Sequence, residues 1–263
     1  MTARVLHLQG GFNFRELGGY LGTDDRPVRW HRLLRTAHLA SLTPADCLQL
    51  QAIGVRLVID LRSTAETQAA PDRLGPQMRY CHLPVFDDDE AESAASVAEL
   101  QRRFSRDPRS GYHRMMRVYR RLVTAPQAQA AYRRLFPILL QVPCDEGIIF
   151  HCSAGKDRTG MAAIFILAAL GVSSEQLLAD YLLTNPASAE HIDQRVAAVK
   201  LGNGRTNFQH AVRDLASVNP DYFEQALSLI DYAYGGLTPY LRDVLGVATA
   251  DRVALQRRFL LPR

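Results

Sequence analysis

The stretch "HCSAGKDRTG", His151–Gly160, decides how the rest of the chain is read. It is entered from an apolar, β-branched run, "GIIFHC", and leads into "GMAAIFILAALGV", the longest apolar run of the sequence. Five residues separate Cys152 from Arg158. Between a strand and a helix, that spacing makes a loop whose ends meet around one tetrahedral anion. Gly155 lets the backbone turn tightly, a helix is expected after Arg158, and successive backbone N–H groups then point at the anion. Ser153, Ala154, Gly155, Lys156 and Thr159 are the expected phosphate-loop contacts. Arg158 can donate two parallel hydrogen bonds to phosphate oxygens, a planar fit that lysine does not reproduce.

The same positive surroundings favour the thiolate of Cys152. Its attack on phosphorus gives a cysteinyl-phosphate, which water then hydrolyses. The Thr159 hydroxyl is placed to hydrogen-bond the sulfur and ease its departure. His151 is expected to brace the loop through its ring nitrogens rather than act as an acid. A buried structural cysteine with an incidental arginine would explain Cys152 alone. It does not explain His151, Gly155, Arg158, Thr159 and Gly160 together between an apolar strand and an apolar helix.

Working outward, "VRLVIDLRS" and "MRYCHLPV" are two further strand candidates, the first with the look of a buried parallel strand. Before them, "SLTPADCLQLQAIG" offers Thr43 as helix cap, Pro44 in the first turn and Gly54 as the stop. Helix, strand, helix, strand in this order argues for an α/β fold, a parallel-dominated sheet flanked by helices with right-handed crossovers. Residues 1–30 read as an irregular or strand-rich opening. Residues 87–142 form a long insertion with an acidic start and an Arg-rich helix, "YHRMMRVYRRLV". Residues 173–263 read as wholly helical apart from a turn-rich break at "LGNGRTNF". No linker is long enough to divide the chain, so residues 1–263 are expected to form one domain.

With 263 residues, 47% of them hydrophobic, the chain can bury a substantial core. A net charge of +4 without Lys/Arg blocks attracts anions but does not make a nucleic-acid surface. Four scattered cysteines suit neither a disulfide framework nor a CxxC metal site. No signal-peptide pattern opens the sequence, and the longest apolar run is too short to span a bilayer. A cytoplasmic protein without cofactor or metal is the expectation, with export by a route lacking a recognisable signal left open.

"HCSAGKDRTG" resembles the active-site motif of cysteine-based protein tyrosine phosphatases. Its Gly-Lys-Asp-Arg version looks like the atypical bacterial branch of dual-specificity and phosphoinositide phosphatases. "NFRELGGY", "LLRTAHLASLT", "GVRLVIDLRSTAE", "ADYLLTN" and "YGGLTPYLRDVLG" resemble the same branch in the same order, and residues 87–112 resemble it least. The resemblance implies a phosphatase fold, no metal, and phosphoprotein or phosphoinositide substrates.

The leaving group needs a proton and the later water needs a base, and one carboxyl group can serve both steps. Better-known relatives carry it on a Trp-Pro-Asp loop, a tripeptide that does not occur here. Asp157 stands first, as a loop aspartate of the kind the atypical branch looks to use, and a carboxyl facing a phosphate dianion keeps its proton more readily. The alternative for it is orienting Arg158 or capping the following helix. Asp60 ends a strand, where active sites of open α/β sheets lie, or else pairs with Arg62. Asp87, in "FDDDE", stands third, against a solvated acidic run.

Lys156 can add a cationic contact for an extra phosphate, or else face solvent; a lysine at the equivalent place also occurs in lipid phosphatases of the superfamily that the motif resembles. Asn13 and Arg15 can brace the loop or contact substrate, and an N-terminal turn held by Gly18 and Gly19 explains them equally well. Arg114, Arg117 and Arg121 lie at helical spacing opposite Met115, Tyr119 and Leu122, the pattern of a basic lid or of a solvated helix face. "AEHIDQRVAAVK" is a second candidate lid piece. His191 and His210 stand apart from any metal-ligand cluster. Two rival functions are a non-catalytic phosphate- or phosphoinositide-binding module and a persulfide-handling sulfurtransferase. Oligomeric state is not legible.

Overall fold

Two runs of apolar and β-branched residues, Val55–Asp60 and Gly147–His151, are best buried on both faces, and they lie side by side inside a five-stranded sheet. The computed structural model describes residues 4–87, 96–201 and 206–263. The strands are Arg15–Glu16 (β1), Leu33–Thr36 (β2), Val55–Asp60 (β3), Arg79–His82 (β4) and Gly147–His151 (β5), in the order β1-β2-β5-β3-β4. All pairs are parallel except β1–β2. The expected α/β architecture is present.

Side-chain alternation divides the sheet. Leu34, Val58 and Ile149 join Phe14, Leu39, Leu42 and Leu50 in a smaller core on one face. Leu33, Leu57, Ile59, Ile148 and Phe150 join the larger core on the other. The smaller core is covered by Pro44–Ala52 (α1), whose Thr43 caps the helix in a reciprocal box with Asp46. Thr64–Ala69 (α2) follows β3.

The long connection from β4 to β5 carries Val97–Phe104 (α3), Ser110–Thr124 (α4) and Pro126–Gln141 (α5). After β5 come Asp157–Ala169 (α6), Ser174–Leu182 (α7), Thr184–Ala187 (α8), Ala189–Leu201 (α9), Thr206–Ala216 (α10) and Pro220–Tyr234 (α11). Leu237–Pro239 (α12) runs into a π-helical turn at Tyr240–Val244, and Thr249–Phe259 (α13) ends the series. Apolar on nearly all sides, α6 is the central helix of the larger core. Met115, Val118, Tyr119 and Leu122 of α4 are buried against α10, α11 and α6, while Arg117 and Arg121 face solvent.

Two differences from the sequence expectations have physical causes. The helix after the loop starts at Asp157, not beyond Arg158, so both residues lie in its first turn. Strand β2 was not anticipated, because Arg35 sits buried in the middle of its four residues and breaks the apolar pattern. Among the described residues, 4–30 follow the irregular reading, with the two-residue β1 and one 3-10 turn, Thr23–Asp25. The end of the acidic run, Asp88 to Glu90, and the centre of the turn-rich break, residues 202–205, lie outside the described residues. Among the described residues no helix is long and apolar enough to cross a membrane.

Candidate active site

β5 ends at His151, the backbone turns through Cys152 to Lys156, and α6 begins at Asp157. The carbonyls of this loop are held from outside. His38 N donates to Ser153 O at 3.1 Å, and Asn13 Nδ2 to Ala154 O at 2.9 Å and Gly155 O at 3.1 Å. Arg35 Nη2 donates to Gly155 O at 2.9 Å. Fixing the carbonyls outward leaves the amide N–H groups to face the interior of the turn, the arrangement that binds anions. Gly155 has φ +65°, and a Cβ there would lie 2.2 Å from Thr36 O, so no side chain fits. Asn13, which does the bracing, is itself left-handed at φ 59°, a conformation Asn tolerates.

Arg158 is oriented before any ligand arrives. Its Nη1 and Nη2 donate to Glu66 Oε2 and Oε1 at 2.5 and 2.8 Å, a bidentate pair with both side chains buried. Glu66 also accepts from Ser153 Oγ and, as the third residue of α2, from the Ser63 backbone N–H. Burial opposes its charge, but these donors, Arg158 first, outweigh it and hold the carboxyl down at about 2. Glu66 was missed in the sequence. The signal was there: Ser63-Thr-Ala-Glu66 is a capping box.

Two buried charge clusters flank the loop. In one, Asp180 of α7 accepts from Arg15 Nε at 3.2 Å and Arg35 Nη1 at 2.5 Å, and Arg15 Nη1 also donates to Asn13 Oδ1. In the other, Arg62 binds Asp60 through Nε and Nη2 and Asp72 at 2.9 Å, while Tyr80 Oη donates to Asp60 at 2.9 Å. Burial disfavours the Asp60 charge, yet His151 and Arg62 together keep the carboxyl well below its usual range. His151 Nε2 lies 2.9 Å from Asp72 Oδ2, and Nδ1 lies 3.2 Å from Cys152 O. Ligand-type atoms of Asp60, Asp72 and His151 fall within 4.8 Å of one another. Arg62 already supplies the positive charge among them. Asp87 is exposed at the surface.

Asp157 is buried, with Oδ1 accepting from Tyr119 Oη at 2.8 Å and Oδ2 lying 3.5 Å from Lys156 Nζ. The Lys156 ammonium reaches the end of α10, donating to Leu215 O at 2.6 Å and Ser217 O at 3.1 Å. Burial pushes the lysine down, and Asp157 partly restores it. Thr159 Oγ1 is buried with no hydrogen-bond partner among the described residues. Cys152, Lys156, Asp157 and Arg158 line one cavity with His191 and Arg195 of α9 and Leu215 and Ala216 of α10. Its volume is about 20 Å³, room for about one water. His191 stacks on Phe12, ring centroids 4.0 Å apart, and burial with Arg195 nearby lowers it to about 4.

A sequence model described as the tyrosine phosphatase family matches residues 6–261. The chain belongs to that family. A provisionally named tyrosine-protein phosphatase of Cupriavidus necator is 33% identical over 91% of this chain and 83% of its own length. The triple specificity protein phosphatase PtpB of Mycobacterium tuberculosis is 30% identical over 95% and 97%. A tyrosine-protein phosphatase of Nostoc commune is 30% identical over 86% and 73%. Membership carries phosphoric monoester hydrolysis of the protein phosphatase type, and a cysteine mechanism is general to the family. The phosphatase brings Cys152, Lys156, Asp157 and Arg158 to one cavity, and puts Asp60 and His151 in the supporting cluster beside it.

Proposed function

We propose that this phosphatase hydrolyses phosphomonoesters of proteins with Cys152 as nucleophile, Arg158 as phosphate clamp and Asp157 as proton donor. The observation that carries the reading is Glu66 holding the fork of Arg158, which lines the same cavity as Cys152 and Asp157. Cys152 Sγ attacks phosphorus, the bond from phosphorus to the leaving oxygen breaks, and the Asp157 proton passes to that oxygen. A water then attacks phosphorus, gives its proton to Asp157, and the S–P bond breaks to return the thiolate. The products are the alcohol or phenol and inorganic phosphate. The unpartnered Thr159 hydroxyl suits the departing sulfur. Asp60, with Arg62 and Tyr80 on its oxygens, fits a structural role rather than that of the acid.

A cavity with room for one water does not admit a phosphate group, so the reading needs α9 and the end of α10 to move as a cover. Phosphoinositides are the second reading, favoured by Lys156 and Arg195 on the cavity wall. In the closed form Lys156 is turned to α10, and it becomes available to a second phosphate only when the cover lifts.

Cys152→Ser is expected to abolish turnover of an aryl phosphate while leaving binding intact. Full activity in that variant, or activity that requires added metal, sinks the mechanism. A panel of phosphotyrosine, phosphoserine and phosphothreonine peptides and phosphoinositides, run with wild type, Asp157→Asn and Asp60→Asn, ranks the substrates. Only Asp157→Asn is expected to remove the acid-dependent limb of the pH–rate profile.

A further inference from the structure

The two oxygens of the Asp157 carboxylate have different surroundings. Oδ1 faces protein and accepts from Tyr119 Oη of α4 at 2.8 Å; Oδ2 lies toward Lys156, which lines the catalytic cavity. Tyr119 is held in turn by Tyr181 of α7, whose hydroxyl donates to Tyr119 Oη at 2.8 Å. Both rings are 0% exposed and meet edge to face, 6.0 Å apart, on helices packed against α6. A tyrosine that accepts one hydrogen bond becomes a better donor in the next, so the pair works as a polarised chain that ends on Oδ1.

We infer that Tyr119 is a positioning residue for proton transfer: its hydroxyl, fixed by Tyr181, occupies Asp157 Oδ1 and leaves Oδ2 as the oxygen that carries the proton to the leaving group. The inference rests on the assignment of Asp157 as the acid. Without this bond the carboxyl group is free to rotate, and its proton can sit on the oxygen that faces away from substrate. Burial, with Asp157 close by, pushes the Tyr119 hydroxyl well above its ordinary value, so it stays a donor throughout the working pH range.

Charged and titratable groups face Asp157 from several elements. Lys156 on the loop and Tyr119 on α4 lie against its two oxygens. Arg158 follows in α6, and Tyr132 of α5, Tyr181 of α7 and Tyr222 of α11 face it electrostatically. Arg195 of α9 and Asp214 of α10 act on it through Lys156. Removing the Tyr119 hydroxyl leaves Oδ1 without its donor, so Asp157 should deliver its proton to the leaving group less well.

The test measures kcat/KM against pH for wild type, Tyr119→Phe, Tyr181→Phe and Asp157→Asn, with phenyl phosphate and p-nitrophenyl phosphate. The nitrophenolate leaves without help, whereas phenolate needs the acid. In Tyr119→Phe the alkaline limb is expected to move by about one pH unit. Phenyl phosphate turnover should fall about tenfold more than p-nitrophenyl phosphate turnover, a gap equivalent to about 1.4 kcal/mol. Tyr181→Phe, which keeps the Tyr119–Asp157 bond, should move both readouts the same way by a smaller amount, and serves alone should Tyr119→Phe not fold. Unmoved limbs with equal losses on both substrates overturn the inference, since a packing role affects the two alike. Loss of the limb in Asp157→Asn together with no shift in either tyrosine variant overturns the inference only. Retention of the limb in Asp157→Asn removes the acid assignment and the inference with it.

Discussion

The two buried charge clusters beside the catalytic loop are built with opposite stoichiometry. On one side a single carboxylate, Asp180, serves two arginines, Arg15 and Arg35. On the other a single arginine, Arg62, serves two carboxylates, Asp60 and Asp72. The donor-rich cluster has N–H groups left over, and they go to the loop's carbonyl at Gly155 and to Asn13, which holds Ala154 and Gly155. The acceptor-rich cluster has oxygens left over, and they go to Tyr80, the Leu39 amide and the side of His151. Between them lies a balanced pair, Glu66 with Arg158. Buried ion pairs add little net stability, but breaking one is costly. Here the donor surplus goes to the turn of the loop, and the acceptor surplus lies beside His151, the residue before Cys152.

The same substitution on both sides separates the clusters. Asp180→Asn removes the one charge between two buried guanidinium groups and points an NH₂ at donors. It should cost about 3–5 kcal/mol in urea unfolding and lower kcat/KM as the loop loosens. A loss below about 1 kcal/mol would break the comparison.

The balanced pair gives a smaller, pH-dependent effect. With Glu66 held down at about 2, its contribution is fully present above the ordinary carboxylate range near 4.5 and is lost as pH falls through about 2. Wild type should lose roughly 2–3 kcal/mol of stability across that window that Glu66→Gln does not lose. Parallel stability curves for the two proteins would show that Arg158 has no such hold on Glu66. Asp72→Asn should do least, about 1 kcal/mol, because Asp60 remains on Arg62 and the amide oxygen still accepts. An effect as large as that of Asp180→Asn would erase the asymmetry.

What could be read from the sequence follows from locality. Cys152, Gly155 and Arg158 sit in one short segment whose spacing carries its own geometry, and the Thr43 cap and the strands β3 and β5 are equally local. The Asp60–Arg62 pair, two residues apart, was open to reading as an ion pair and is one. Arg35 and Asp180 were not legible, because they meet across 145 residues and only the fold brings them together. Tyr119 looked like an ordinary core residue of α4, since periodicity reports that a side chain points inward and says nothing of what its hydroxyl meets. Lys156 was read as a contact for a second phosphate or a solvent-facing lysine, and its ammonium instead meets the carbonyls at the end of α10.

That lysine has a consequence for how the enzyme responds to salt. Its ammonium rests on Leu215 O and Ser217 O, and the side chain is buried. Dissolved ions screen exposed charges over roughly 8 Å at physiological strength, but they do not enter such a contact. The attraction that brings an anionic substrate toward a chain of net charge +4 acts through solvent and is screened. Added salt therefore slows the encounter and leaves this buried contact as strong as before.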